Sequence, residues 1–125
     1  MRDKYIQTAE SVTEGHPDKL CDTIADAVLD ACLENDPASR VACEAMATAG
    51  KIIVAGEITA KELPDIPAIV CRTVRETGYR SDYEVEVITH DQSGDIAGAV
   101  AQDTQMGAGD QGIVYGYACN ETREY

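Results

Sequence analysis

The chain has 125 residues, enough for one domain with a modest core. Its 23 acids against 10 bases give a net charge of −13, which argues against nucleic acid or an anionic membrane as a partner, since both need basic patches. Apolar residues reach 44 % with no Trp or Phe, so the core has to come from Ile, Val, Leu, Ala, Met and Tyr, and no apolar run approaches the roughly 20 residues of a membrane span.

Residues 3–11 are expected to form a first strand with mixed faces. Pro17 suits the first position of a helix, where its missing N–H would have no partner anyway. Over 17–34, Leu20, Ile24, Ala27, Val28, Ala31 and Cys32 fall on one stripe at helical spacing. Asp18, Asp22, Asp26 and Asp30 repeat on another face. Asp26 and Asp30 read as solvated; Asp18 and Asp22, nearest the helix start, are better placed for cations. Asn35-Asp36-Pro37 ends this helix, because proline disfavours helical geometry in the residue before it.

Residues 40–48 and 51–59 then alternate as strands about the short turn Ala49-Gly50. A second helix is expected over 65–77, with Asp65 as N-cap, Ile66, Ile69, Val70 and Val74 on its stripe, and Gly78 as the residue that turns the chain away. Residues 83–89 alternate strictly and make a third sheet strand. Residues 90–112 are polar and rich in Gly, Gln and Asp, with no clear period. Such a stretch in a compact domain is usually functional or mobile. A strand pattern resumes at 113–118. The order implies an α+β fold: a two-layer sandwich of a mainly antiparallel sheet with helices on one face, in a single domain over 1–125.

Five cysteines at 21, 32, 43, 71 and 119 are odd in number and form no C-x-x-C motif. With no signal-peptide pattern, reduced thiols in the cytoplasm are the simplest expectation.

Residues 12–19, Val-Thr-Glu-Gly-His-Pro-Asp-Lys, concentrate chemistry at the start of the first helix. His16 and Asp18 belong at a helix N-terminus, where free N–H groups and the helix dipole favour anions. Asp18 also suits a hard cation such as Mg²⁺. The turn is either a phosphate-handling site or a capped loop with solvated charges. A phosphate would be repelled by so acidic a chain unless metal ions or a partner supplied positive charge.

If Ala49 and Gly50 are the two central turn residues, paired positions sum to 99. Glu44 then faces Ala55 and Ala42 faces Glu57, so the two glutamates are diagonal neighbours on one face, within roughly 8 Å. They hold cations or donors there, or lie on an edge open to water. A three-residue turn would put them on opposite faces. Gly107-Ala108-Gly109-Asp110-Gln111-Gly112 spells G-x-G-x-x-G, but it neither follows a strand nor opens a helix. It reads instead as a glycine-rich loop with Asp110 as its charged handle. His90, at a strand end, reads as structural or solvated.

Taken together, the His16 segment, Arg-Val-Ala-Cys-Glu at 40–44, Gly-Glu-Ile-Thr at 56–59, Thr-Val-Arg-Glu-Thr-Gly-Tyr at 73–79, Asp-Gln-Ser-Gly-Asp-Ile at 91–96 and the 107–112 loop resemble the N-terminal part of S-adenosylmethionine synthetase (methionine adenosyltransferase), in the family's order. The resemblance implies a reaction in which the sulfur of L-methionine attacks the ribose C5′ of ATP and expels tripolyphosphate, which is then hydrolysed. It implies that His16 contacts ATP and steadies the departing oxygen, that Asp18 binds Mg²⁺ and that Glu44 belongs to a K⁺ site. Glu57 and Gln92 match residues of the methionine site, Gln92 opens the mobile active-site loop (90–112) that gates it, and Asp110 matches an acid that holds the amino group of methionine or product. Lys19 is a phosphate neighbour by position alone. The acids would hold cations and the cations the phosphates, which resolves the conflict of charge.

Gly94 stands where the family usually has proline, and Gly98-Ala99 where Gln-Gly is usual. Family chains are longer, with three related domains and active sites between subunits. The expectation is therefore a split or truncated subunit that needs a complementary chain or a homo-oligomer. The alternatives are a regulatory or scaffold paralogue and, more remotely, an acidic Mg²⁺-binding domain of unrelated chemistry.

Overall fold

The computed structural model describes residue 6 and residues 8–80, 82–91, 112–120 and 123. Five elements follow in chain order: α1 (Pro17–Asn35), β1 (Arg40–Thr48), β2 (Lys51–Thr59), α2 (Ile66–Glu76) and β3 (Glu84–His90). Helix α1 begins at Pro17 because His16 caps it in extended geometry, and it ends where the Asp36 amide donates to the Cys32 carbonyl. Its buried stripe is Leu20, Ile24, Val28 and Cys32, a four-residue repeat that keeps one line of side chains under cover. Helix α2 is capped by Asp65, whose carboxylate accepts from the Ala68 amide at 3.1 Å. Gly78 then takes φ +93°, a left-handed conformation that glycine adopts without steric cost.

β1 and β2 are antiparallel in the register expected of a two-residue turn, with Glu44 opposite Ala55 and Ala42 opposite Glu57. β3 joins the other side of β2 in parallel. The α+β sandwich therefore holds a mixed three-stranded sheet, with α2 as the crossover that parallel neighbours require. Ile52, Val54 and Ile58 of β2 are buried against the stripes of both helices, flanked by Val41, Cys43, Ala45 and Ala47 of β1 and Val85 of β3. Both helices thus serve one face of the sheet. The opposite face carries Glu44, Met46, Ile53, Ala55, Glu57, Ile88 and His90.

Asp36 fastens the two ends of this layer. It is 6 % exposed. Its carboxylate accepts from the Ala38 amide at 3.1 Å and the Lys61 amide at 3.3 Å, and lies 3.5 Å from Lys61 Nζ. The connection after α1 is thereby tied to the one after β2.

Two expected strands are corrected. Within 3–11 the described residues belong to no helix or strand, and the same is true of 113–118. Ile113, Val114, Tyr115 and Tyr117 are exposed. Alternation gives a segment two faces, but a strand also needs a neighbour's hydrogen-bonding edge, and among the described residues neither segment has one.

Candidate functional site

The turn entering α1 is built tightly. The Asp18 amide donates to His16 Nδ1 at 3.2 Å, which leaves Nε2 as the ring nitrogen that carries the proton whenever the imidazole is neutral. Asp18 Oδ2 lies 3.9 Å from the same Nδ1, with 43 % of the His16 side chain and 84 % of the Asp18 side chain exposed. The His16 amide donates to the Thr13 carbonyl at 3.0 Å. The Tyr79 hydroxyl donates to the Gly15 carbonyl at 2.7 Å.

Two grooves flank the turn. One, of about 360 Å³, runs between Gly15, Pro17, the hairpin tip at Thr48-Ala49, and Tyr79. The other, of about 290 Å³, follows edge strand β1 past Pro17, Asp18 and Asp22, with Ala45, Met46 and Ala47 as its floor. A flexible charged ligand laid along either would meet the helix N-terminus, where the dipole favours its negative groups.

Glu44 and Glu57 lie on the open sheet face, away from the helices. Glu57 is half-buried and Glu44 exposed. They are the diagonal neighbours that the hairpin register requires. Across the parallel pairing, His90 is the partner of Glu57, a proximity that alternation within β3 could not indicate. At the hairpin end of the same face, Lys51 pairs with Glu86 at 2.7 Å and Glu84 at 3.2 Å, and these partners hold its ammonium above the ordinary lysine value.

His16, Asp18 and Lys19 therefore share one turn, and Glu44 and Glu57 share one sheet face. The β1 groove runs between them, lined by Asp18 of the turn and by Met46 on the open side of β1, which among the described residues is an edge strand. Gln92 and Asp110 lie outside the described residues. Sequence reasoning missed Tyr79 and Asp36, whose partners lie 64 and 25 residues away in the chain. No spacing rule reaches so far.

Among the described residues, no group of three or more His, Cys, Asp and Glu side chains is gathered closely enough to hold a metal ion. Asp18 offers an exposed carboxylate beside the α1 N-terminus. That chemistry fits Mg²⁺, which keeps water ligands and shares one or two carboxylates with substrate phosphates.

Residues 4–104 match the family model for the N-terminal domain of S-adenosylmethionine synthetase. The chain belongs to the S-adenosylmethionine synthetase family. Relatives include the S-adenosylmethionine synthases of Prochlorococcus marinus (strain NATL1A), 49 % identical over 138 residues, and Oleidesulfovibrio alaskensis, 51 % identical over 129 residues. These alignments cover 97 % and 95 % of this chain but 34 % and 33 % of the relatives. A synthase of Nitratidesulfovibrio vulgaris is 49 % identical over 95 % of the chain. The chain thus spans about a third of the length of the curated relatives it matches. Among the described residues, no helix is long and apolar enough to cross a membrane.

Proposed function

We propose that this chain supplies the N-terminal part of a cytoplasmic methionine adenosyltransferase, which forms S-adenosylmethionine from ATP and L-methionine. One observation carries the reading. The segment that the resemblance assigns to the triphosphate lies on the capped N-terminus of α1, with His16 Nδ1 accepting from the Asp18 amide.

Sulfur displacement at C5′ demands alignment of three atoms and stabilisation of a leaving polyanion. His16 donates to the oxygen that departs from C5′, and the α1 N-terminus adds its dipole. Asp18 holds Mg²⁺, which supplies positive charge to the phosphates when bound. Lys19 adds a cation nearby. On the open face Glu44 serves K⁺, and Glu57 serves methionine together with Gln92 and Asp110. The remaining wall of the site would come from parts of the synthetase outside this segment or from another subunit.

The test is turnover of ATP and methionine by this chain assayed with a chain carrying the remaining part of a relative. Product is expected from the mixture, and His16→Ala should lower kcat by about 10²–10³-fold, as for loss of one donor to a developing charge. Unchanged turnover in His16→Ala would mean a scaffold and not a catalyst.

A further inference from the structure

We propose that Tyr79 is a positioning residue for His16. Its hydroxyl reaches across 64 residues of sequence to donate to the Gly15 carbonyl at 2.7 Å. The peptide bond between Gly15 and His16 is therefore held at both ends. Its carbonyl oxygen accepts from Tyr79, and its N–H donates to the Thr13 carbonyl at 3.0 Å. That peptide plane sets the φ of His16, which is −66° in the capping geometry. Once the plane and the cap are set, the Asp18 amide at Nδ1 leaves the imidazole little freedom to turn.

Tyr79 is itself braced. It follows Gly78, whose positive φ ends the α2 turn, and its amide donates to the Val74 carbonyl at 3.2 Å. Its ring meets Tyr83 edge to face, with centroids 6.4 Å apart and planes at 83°. Tyr83 packs on the core, so the stiffness of the core passes through two rings to the turn. The fit on the other side is close. A Cβ on Gly15 would stand 3.3 Å from the Tyr79 hydroxyl oxygen, tighter than most real contacts. Glycine at 15 lets the hydroxyl approach the carbonyl beside it.

The inference rests on the assignment of His16 to the triphosphate. A hydrogen bond to the backbone of the turn acts on rate through alignment of His16, where small displacements are costly. Tyr79→Phe deletes the hydroxyl and keeps the ring and its contact with Tyr83. In the two-chain assay kcat should fall about tenfold with the KM for methionine unchanged. In a His16→Ala background the same substitution should do almost nothing, because its route to the chemistry has been removed. Gly15→Ala, which keeps Tyr79 but crowds its hydroxyl, should give a loss of the same kind and serves if Tyr79→Phe folds poorly. A kcat in both variants equal to that of the parent would overturn the positioning role, as would losses that simply multiply with that of His16→Ala. If His16→Ala leaves turnover intact, the assignment of His16 falls, and this role falls with it. If His16→Ala collapses turnover while Tyr79→Phe does not, the positioning role alone is wrong.

Discussion

Gly56 and Ala42 approach so closely across β1 and β2 that a Cβ on Gly56 would sit 2.0 Å from the Ala42 carbonyl oxygen. Gly56 also has φ +153°, which L side chains rarely adopt. It precedes Glu57, so the close approach helps to set where that carboxylate stands. Gly56→Ala has to part the strands and strain its own backbone, and a loss on the order of 3 kcal/mol or more is expected. Urea unfolding of the two chains measures this. Matching midpoints would mean that the hairpin opens at no cost.

The Asp36 carboxyl is held below the ordinary 3.8, first by the Ala38 amide and then by the Lys61 amide and ammonium, against the opposing effect of burial. A carboxyl whose folded value is depressed contributes stability in full above its unfolded value and loses it as pH falls through the folded one. Asp36→Asn should therefore cost stability at pH 7, with a cost that shrinks as the pH drops below 3.8. Unfolding midpoints of both chains across that range test the sign. A difference that stays constant down to the lowest pH would contradict it.

Burial pushes the Cys43 thiol up to about 11, with smaller contributions from Cys32 and Glu44. The thiolate is the reactive form, so Cys43 should resist iodoacetamide near neutral pH in the folded chain. In urea it should label at an ordinary rate. Mass mapping of the labelled peptide reads both states, and rapid native labelling of Cys43 would show that its strand is not packed as described.

Ile24 is fully buried at the centre of the α1 stripe, whereas Leu33 on the same helix is 38 % exposed. Ile24→Ala should cost about 2–5 kcal/mol, and Leu33→Ala should cost much less, because only the first leaves a cavity. Thermal unfolding of the pair separates them. Equal costs would mean that α1 does not present this face to the sheet.

Helix and hairpin boundaries were readable because their determinants are local. Pro17, Asp65 and Gly78 act on their immediate neighbours, and the Ala49-Gly50 turn dictates every rung of β1 against β2. The shared face of Glu44 and Glu57 followed from that turn alone. The parallel docking of β3 was not readable in the same way. Alternation over 84–90 tells which side chains share a face, but carries neither the identity of the neighbour nor its direction. His90 came to lie beside Glu57 through that docking.

The same division runs through the candidate site. The amino-acid order was sufficient for the capped turn that presents His16 and Asp18, since a helix start is a matter of a few consecutive residues. Bracing of that turn by Tyr79, burial of Asp36 between two connections, and the groove along β1 arise from packing α1 and α2 onto one sheet face. Those contacts join residues far apart in the chain. They exist because the apolar stripes of both helices can leave water together only over Ile52, Val54 and Ile58, and that burial brings the polar partners within reach.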